Sequence, residues 1–173
     1  ADPALLLGNI EGKSVLVTGA GGSIGSELCR SIARLRPREL VLFEISEPAL
    51  FQIEQELQNI IGQEQAQSPM KISAVLGNAL DSKLLQRIFT RHGVDTVFHA
   101  AAYKHVPLVE FNAVEGARNN IIGAKSVVDA VVSSGVSTFV FVSTDKAVRP
   151  TNVMGASKRV AEMIVQLAGE RSN

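Results

Sequence analysis

The sequence predicts an α/β fold in which a doubly wound parallel sheet carries helices on both faces. Short apolar runs rich in Val, Leu and Phe alternate with stretches of helical period. A glycine cluster closes the first of those runs where the first helix begins. Alternation of this kind needs crossovers of about a dozen residues or more, which makes neighbouring strands parallel. The chain has 173 residues, 46% of them apolar, which is the size of one domain around one core.

Lys13–Thr18 is the first strand, an apolar run without polar alternation, as expected of a strand buried on both faces. From Ser23 the positions Ile24, Leu28, Ile32 and Leu35 keep helical spacing until Pro37 ends it. Glu39–Glu44 is the second strand, and Ser46 caps an amphipathic helix carrying Leu50, Ile53, Leu57, Ile60 and Ile61. The polar, glutamine-rich stretch from Gly62 to Pro69 reads as a loop. Lys71–Leu76 is the third strand, Asp81–Arg91 the third helix and Val94–His99 the fourth strand. Pro107–Val132 is mostly helical and amphipathic, either a dimer face or, more simply, packed on the domain's own sheet. Val136–Val142 is the fifth strand, and Asn152–Leu167 returns to helical spacing through Val153, Val160, Met163, Ile164 and Leu167.

Seventeen basic residues balance seventeen acidic ones, so no long-range field favours nucleic acid or an anionic membrane as partner. The lone Cys29 supports no internal disulfide framework; on a helix it reads as a small buried hydrophobe, which fits a reducing, cytoplasmic setting. No apolar run reaches the roughly 18 residues of a membrane span, and no basic region precedes a hydrophobic signal core, so the chain reads as soluble and unexported. The histidines are not grouped with carboxylates or thiols at a ligand spacing, and no metal site is expected.

Thr18-Gly-Ala-Gly-Gly-Ser-Ile-Gly25 lies between the first strand and the first helix. With glycines at 19, 22 and 25 the turn is tight, and backbone N–H groups around Ser23 and Ile24 can approach a pyrophosphate at the helix N-terminus. Such a loop alone is often only a tight connection. Glu44, nineteen residues after Gly25 at the end of the second strand, strengthens it, because an acidic side chain there can bind ribose hydroxyls. A 2'-phosphate would sit against that carboxylate, so NAD is favoured over NADP.

Ligands of a doubly wound sheet lie beyond the carboxyl ends of its strands. The fourth strand ends in His99-Ala-Ala-Ala-Tyr-Lys-His105, where small Ala100, Ala101 and Ala102 allow a cofactor to approach and Tyr103, Lys104 and His105 supply polar groups. His99 itself reads as a satisfied core histidine. The fifth strand ends in Ser143-Thr-Asp-Lys146, an acid beside a base. Such a pair moves protons when its surroundings bring the pKa values toward working pH, so Asp145 and Lys146 are the first candidates for catalysis. The bland alternatives are that Asp145 caps a turn and Lys146 is a solvated charge.

Together with Thr18–Gly25, the segments Ala100-Ala-Ala-Tyr-Lys-His-Val-Pro107, Asn119-Asn-Ile-Ile-Gly123 and Ser143-Thr-Asp-Lys-Ala-Val-Arg-Pro-Thr-Asn-Val-Met-Gly-Ala-Ser-Lys158 resemble the polysaccharide-biosynthesis branch of extended short-chain dehydrogenases. That branch contains the UDP-N-acetylglucosamine 4,6-dehydratases, and the resemblance spans nearly the whole chain. It implies a Rossmann fold and a Tyr-x-x-x-Lys helix after the fifth strand, in which Met154 here holds the tyrosine position and Lys158 is retained. Methionine cannot transfer a proton. A methionine there is nevertheless similar to the larger, membrane-associated dehydratases, in which Asp145 and Lys146 would carry the proton transfers, helped by Thr144 and a water beside Met154.

The implied reaction moves a hydride from sugar C4 to NAD, takes the C5 proton on Lys146, protonates the leaving C6 hydroxyl from Asp145 and returns the hydride to C6. The product is a 4-keto-6-deoxy sugar. Lys158 would hold the nicotinamide ribose, Asn120 would order the turn beside the site, and Asn78 with Ala79 would meet the adenine, although many relatives carry an aspartate where Asn78 stands. Relatives continue past Asn173 into a segment that binds the UDP-sugar, and many begin with membrane helices, so the chain reads as one NAD-binding domain, residues 1–173, of a longer enzyme at the cytoplasmic face of the inner membrane, or as a naturally short relative. Two other functions compete: a nucleotide-sugar 4-epimerase, which relies on a tyrosine that Met154 replaces, and a non-catalytic dinucleotide-binding module, against which the pairing of Asp145 with Lys146 argues.

Overall fold

The computed structural model describes residues 3–63 and 70–172. In chain order its elements are α1 (Pro3–Ile10), β1 (Ser14–Thr18), α2 (Ser23–Arg34), β2 (Glu39–Glu44), α3 (Glu47–Gln63), β3 (Lys71–Leu76), α4 (Ser82–His92) and β4 (Thr96–His99). There follow α5 (Val106–Phe111), α6 (Ala113–Ala117), a π-helical turn (Arg118–Ile122), α7 (Gly123–Ser134), β5 (Thr138–Phe141), a 3₁₀ turn (Asp145–Ala147) and α8 (Val153–Ser172). Gly62 and Gln63 close α3; the rest of the stretch read as a loop, residues 64–69, lies outside the described residues.

The five strands form one sheet in the order β3-β2-β1-β4-β5, every pair parallel. β1, β2 and β4 are buried at every position, which is why their sequences show no polar alternation. On one face Val15, Val17, Leu40 and Leu42 meet Cys29 and Ile32 of α2 and Leu50, Ile53 and Leu57 of α3. On the other, Leu16, Val41, Phe43 and Val97 meet Leu85, Ile88 and Phe89 of α4 and Val127, Ala130 and Val131 of α7. Burial pushes the Cys29 thiol up to about 12, with a small opposing effect of the Arg30 charge, so it is an inert part of this core.

Three features depart from the sequence expectation. α1 was not foreseen; its Ile10 joins the core, and Asn9 accepts hydrogen bonds from Thr96 (2.7 Å) and Thr138 (3.0 Å), tying it to the first residues of β4 and β5. The helical stretch after β4 is broken: only α7 is buried against the sheet, whereas α5 and α6 expose Leu108, Phe111 and Val114. In α8 the apolar positions Val160, Met163 and Leu167 are exposed, and the buried face consists of Met154, Ser157, Lys158 and Ala161. A periodic apolar stripe locates a helix but does not say which face the rest of the chain will cover.

The amino edge of the sheet is pinned by a carboxylate. Glu39, 7% exposed, accepts hydrogen bonds from Ser73 Oγ (2.7 Å) and Lys71 Nζ (2.8 Å) and pairs with His92 Nδ1 at 2.8 Å. Burial alone would raise this carboxyl, but the Lys71, Ser73 and His92 contacts outweigh it and bring it down to about 2. A carboxyl whose folded pKa is depressed contributes stability that is complete above its unfolded value and is lost as pH falls through the folded one. Denaturant midpoints should therefore fall between about pH 4.5 and pH 2. In Glu39→Gln that slope should flatten, with stability at neutral pH lowered by about 1–3 kcal/mol; an unchanged slope would assign acid sensitivity elsewhere.

Candidate active site

β1 and β4 are neighbours, but the chain leaves β1 for β2 on one side and leaves β4 for β5 on the other. The crevice beyond their carboxyl ends is the topological switch point of the sheet. Gly19, at φ +67°, lies so close to the next loop that a Cβ would stand 2.7 Å from Ala101 Cα and 2.8 Å from Ala101 N. A side chain there is excluded both by sterics and by backbone conformation. Gly22 occupies the N-cap of α2 without a side-chain cap, Gly25 is buried in its first turn, and Ser23 Oγ accepts a hydrogen bond from Lys104 Nζ across the crevice.

Glu44 is built into this loop. Its Oε2 accepts from the Gly21 amide (3.0 Å), and its Oε1 accepts from the amides of Ile45 (2.8 Å) and Ser46 (3.0 Å). Only 8% exposed, it is not a solvated strand-end group. It borders a cavity of about 530 Å³ shared with Gly19, Asn78, Ala79 and Ala101. Asn78 Oδ1 accepts from the Leu80 amide (2.9 Å), so what Asn78 offers a ligand is its NH₂. A glycine cradle that a Cβ would fill, an uncapped helix N-terminus, a nearby cation and an acid at the end of β2 fit a dinucleotide with free ribose hydroxyls.

A second cavity, about 260 Å³, adjoins the first and is lined by Ile24, Ala100, Ala102, Lys104, Thr144, Lys146, Met154 and Lys158. Ile24, the first position of the α2 stripe, is 48% exposed because it faces this cavity rather than the core. Lys158 is 6% exposed, donates to the Val142 carbonyl (2.7 Å) and lies 4.1 Å above the Phe141 ring. Burial pushes its ammonium down to about 8, opposed by the charge of Glu162, so it can exchange a proton near neutral pH.

Asp145 and Lys146 occupy the 3₁₀ turn that follows β5, with Thr144 at its N-cap. Lys146 Nζ lies 3.7 Å from Asp145 Oδ1, and the two side chains are 51% and 90% exposed. Lys146 lines the small cavity; Asp145 is not among its lining residues. The Thr144 hydroxyl, donating to Asp145 Oδ1 at 3.0 Å, and then the Lys146 charge hold the Asp145 carboxyl below its ordinary value. In this state Asp145 is an ionised carboxylate, and service as an acid requires a bound molecule to desolvate it.

Three residues that the sequence reading did not single out place these groups. Gly155 lets the start of α8 lie against the 3₁₀ turn, since a Cβ there would collide with the Lys146 carbonyl oxygen. Glu110 of α5 accepts from the Val153 amide (2.5 Å) and caps α8. Ser157 joins α8 to Asn120: Asn120 Nδ2 donates to Ser157 Oγ (2.9 Å), which donates to the Met154 carbonyl (2.7 Å). Asn120, expected to order the neighbouring turn, does so from the π-helical turn, accepting from the Tyr103 amide (2.8 Å) and donating to its carbonyl (3.0 Å). The only sequence signal for Gly155 and Ser157 was their place between Met154 and Lys158; Glu110 had none.

A family model described as polysaccharide biosynthesis protein matches residues 15–173. The chain is 41% identical over 169 residues to the capsular polysaccharide biosynthesis protein CapD of Staphylococcus aureus, a match covering 98% of this chain and 27% of that protein. It is 32% identical over 154 residues to a UDP-N-acetylglucosamine 4,6-dehydratase (inverting) of Campylobacter jejuni, and 35% identical over 152 residues to a UDP-glucose 4-epimerase of Rickettsia canadensis. Each of these two matches covers 88% of this chain and 42% of the relative, so the chain spans well under two thirds of the relatives it matches. Among solved structures, Pen from Bacillus thuringiensis superimposes with TM-score 0.81 at 29% identity, over 92% of this chain and 48% of that one. DesIV, a dTDP-glucose 4,6-dehydratase from Streptomyces venezuelae with NAD bound, shares the fold at TM-score 0.76 and 23% identity, over 91% of this chain and 52% of that one.

Asn120→Ala would remove the side-chain partner of the Tyr103 amide and carbonyl and leave Ser157 without its donor. It should lower stability by about 1–3 kcal/mol in urea unfolding. A loss of only a few tenths would mean that the network around Asn120 is not what joins the β4 loop to α8.

Proposed function

We propose that this chain, which belongs to the polysaccharide biosynthesis protein family, is the NAD-binding catalytic domain, residues 1–173, of a nucleotide-sugar 4,6-dehydratase acting on UDP-N-acetylglucosamine. The observation that carries the reading is the small cavity in which Thr144, Lys146 and Lys158 converge beside Met154, at a helix position where an epimerase needs a phenol. NAD, when bound, would take up a hydride from sugar C4 and return it to C6.

The chain's own groups have the remaining work. Gly19, Gly22, Ser23, Ile24 and Gly25 cradle the pyrophosphate, Glu44 takes the adenosine ribose, and Asn78 and Ala79 flank the adenine. Ala100, Ala101 and Ala102 leave room for the nicotinamide, which Lys104 and Lys158 help to seat while Asn120 orders the turn beside them. Lys158, already near a pKa of 8, holds the nicotinamide ribose and favours departure of the C4 hydroxyl proton through Thr144 and a water beside Met154. Once C4 is a ketone, Lys146 removes the acidified C5 proton, and Asp145, desolvated by the sugar, gives a proton to the leaving C6 hydroxyl. As the hydride would return to C6, Lys146 gives its proton back to C5 and the proton shed by the C4 hydroxyl restores Asp145, so the sum is one ketone gained and one water lost, without net redox. A nucleotide-linked substrate and a reduced Cys29 suit the cytoplasm, and no described helix is long and apolar enough to cross a membrane.

The 4-epimerase is the second reading, favoured by the Rickettsia relative. Mass separates the two. Incubation with NAD and UDP-N-acetylglucosamine should yield a product lighter by one water, whereas an epimer keeps its mass. Untouched substrate despite NAD binding would leave either a domain that needs further chain for catalysis or a binding module, and the same assay on a longer chain separates those two. Lys146→Ala should slow water loss by about 10²–10⁴-fold with the fold intact, and normal turnover by that variant would remove Lys146 from the mechanism.

A further inference from the structure

One buried polar contact joins the two strand ends that flank the crevice, and none of the chemistry above uses it. Thr18 ends β1 immediately before Gly19, and His99 ends β4 immediately before Ala100. Thr18 Oγ and His99 Nδ1 are 2.6 Å apart, with Thr18 at 0% and His99 at 2% exposure. Thr18 Oγ also accepts from the Ala101 amide (3.4 Å), and the Thr18 carbonyl accepts from the Ala100 amide (3.2 Å). Thr18 Oγ thus joins the Ala101 amide to the His99 ring, whose Nδ1 donates or accepts according to its tautomer.

Burial, and then the charge of Lys158, lower His99 to about 3, so the ring is neutral at any working pH. It stacks against Phe139 and Phe141, with centroids 6.3 Å and 5.7 Å away, and Phe141 is the ring on which Lys158 rests. His99 lines neither cavity, yet it holds the hydroxyl between two segments whose backbones must approach within van der Waals contact at Gly19 and Ala101.

We propose that His99 is a positioning residue: through Nδ1 it fixes the Thr18 hydroxyl, and so sets the spacing between the glycine loop and Ala100–Ala102 on which dinucleotide affinity depends. The proposal rests on the reading that this crevice takes NAD. Asparagine at 99 can place an oxygen near the Nδ1 position, glutamine near Nε2, and Thr18→Val removes the hydroxyl at almost constant volume.

NAD titration by calorimetry, with amide hydrogen exchange at Ala101 measured without NAD, tests it on the full chain. Thr18→Val and His99→Gln should weaken NAD about tenfold and speed exchange at Ala101, while Thr18→Ser and His99→Asn recover both. Wild-type affinity and exchange in Thr18→Val, or equal weakness in His99→Asn and His99→Gln, would overturn the proposal in favour of simple packing. Should His99→Gln fail to fold, the Thr18 pair decides alone. A wild-type chain that does not bind NAD would sink the functional reading instead, and exchange at Ala101 would still decide whether the Thr18–His99 contact positions that segment.

Discussion

The crevice exists because the backbone of Gly19 lies against that of Ala101, an approach that follows from the parallel pairing of β1 with β4. Parallel strands in register deliver their carboxyl ends to the same edge, and here the two ends diverge toward opposite halves of the sheet. The gap between them receives the N-terminus of α2 from one side and the alanine segment from the other. Glu44 then acts locally as well. Its contact with the Gly21 amide braces the glycine loop from β2, and those with the Ile45 and Ser46 amides fix the carboxylate, so the acid that would bind ribose is oriented before any ribose arrives.

α8 organises the other half of the site. It touches the 3₁₀ turn through Gly155, the end of β5 through Lys158, the π-helical turn through Ser157 and α5 through Glu110. Four neighbours on a single helix explain why its buried face is polar: Ser157 and Lys158 are buried because they have partners there. Its apolar residues at 160, 163 and 167 are displaced to the opposite side.

The two lysines of the site differ by environment rather than by type. Lys158 is buried over an aromatic ring and titrates near 8; Lys146 is half exposed beside an ionised Asp145. Charge exposed to water is well solvated, so the proposed role of Asp145 as an acid would require that it be covered. Lys158 needs no such cover. The difference between one lysine tuned by burial and another left in solvent follows from where each sits on the carboxyl edge.

The alternation of strands and helices, the parallel sheet, the glycine loop and the acid at 44 were legible in the sequence, because each rests on local periodicity or on spacing along the chain. So were the candidates at 144–146, 154 and 158, through a motif contiguous enough to be recognised. The Thr18–His99 contact, the anchoring of Asn120 on Tyr103 and Ser157, and the capping of α8 by Glu110 join residues from 17 to 81 positions apart. No local pattern encodes such pairs. By itself the sequence determined which residues could do chemistry and on which elements they lie; only the tertiary structure decided which face of α8 is buried and that Asp145 stands in solvent while Lys158 does not, because burial is a property of what packs against a residue and not of the residue.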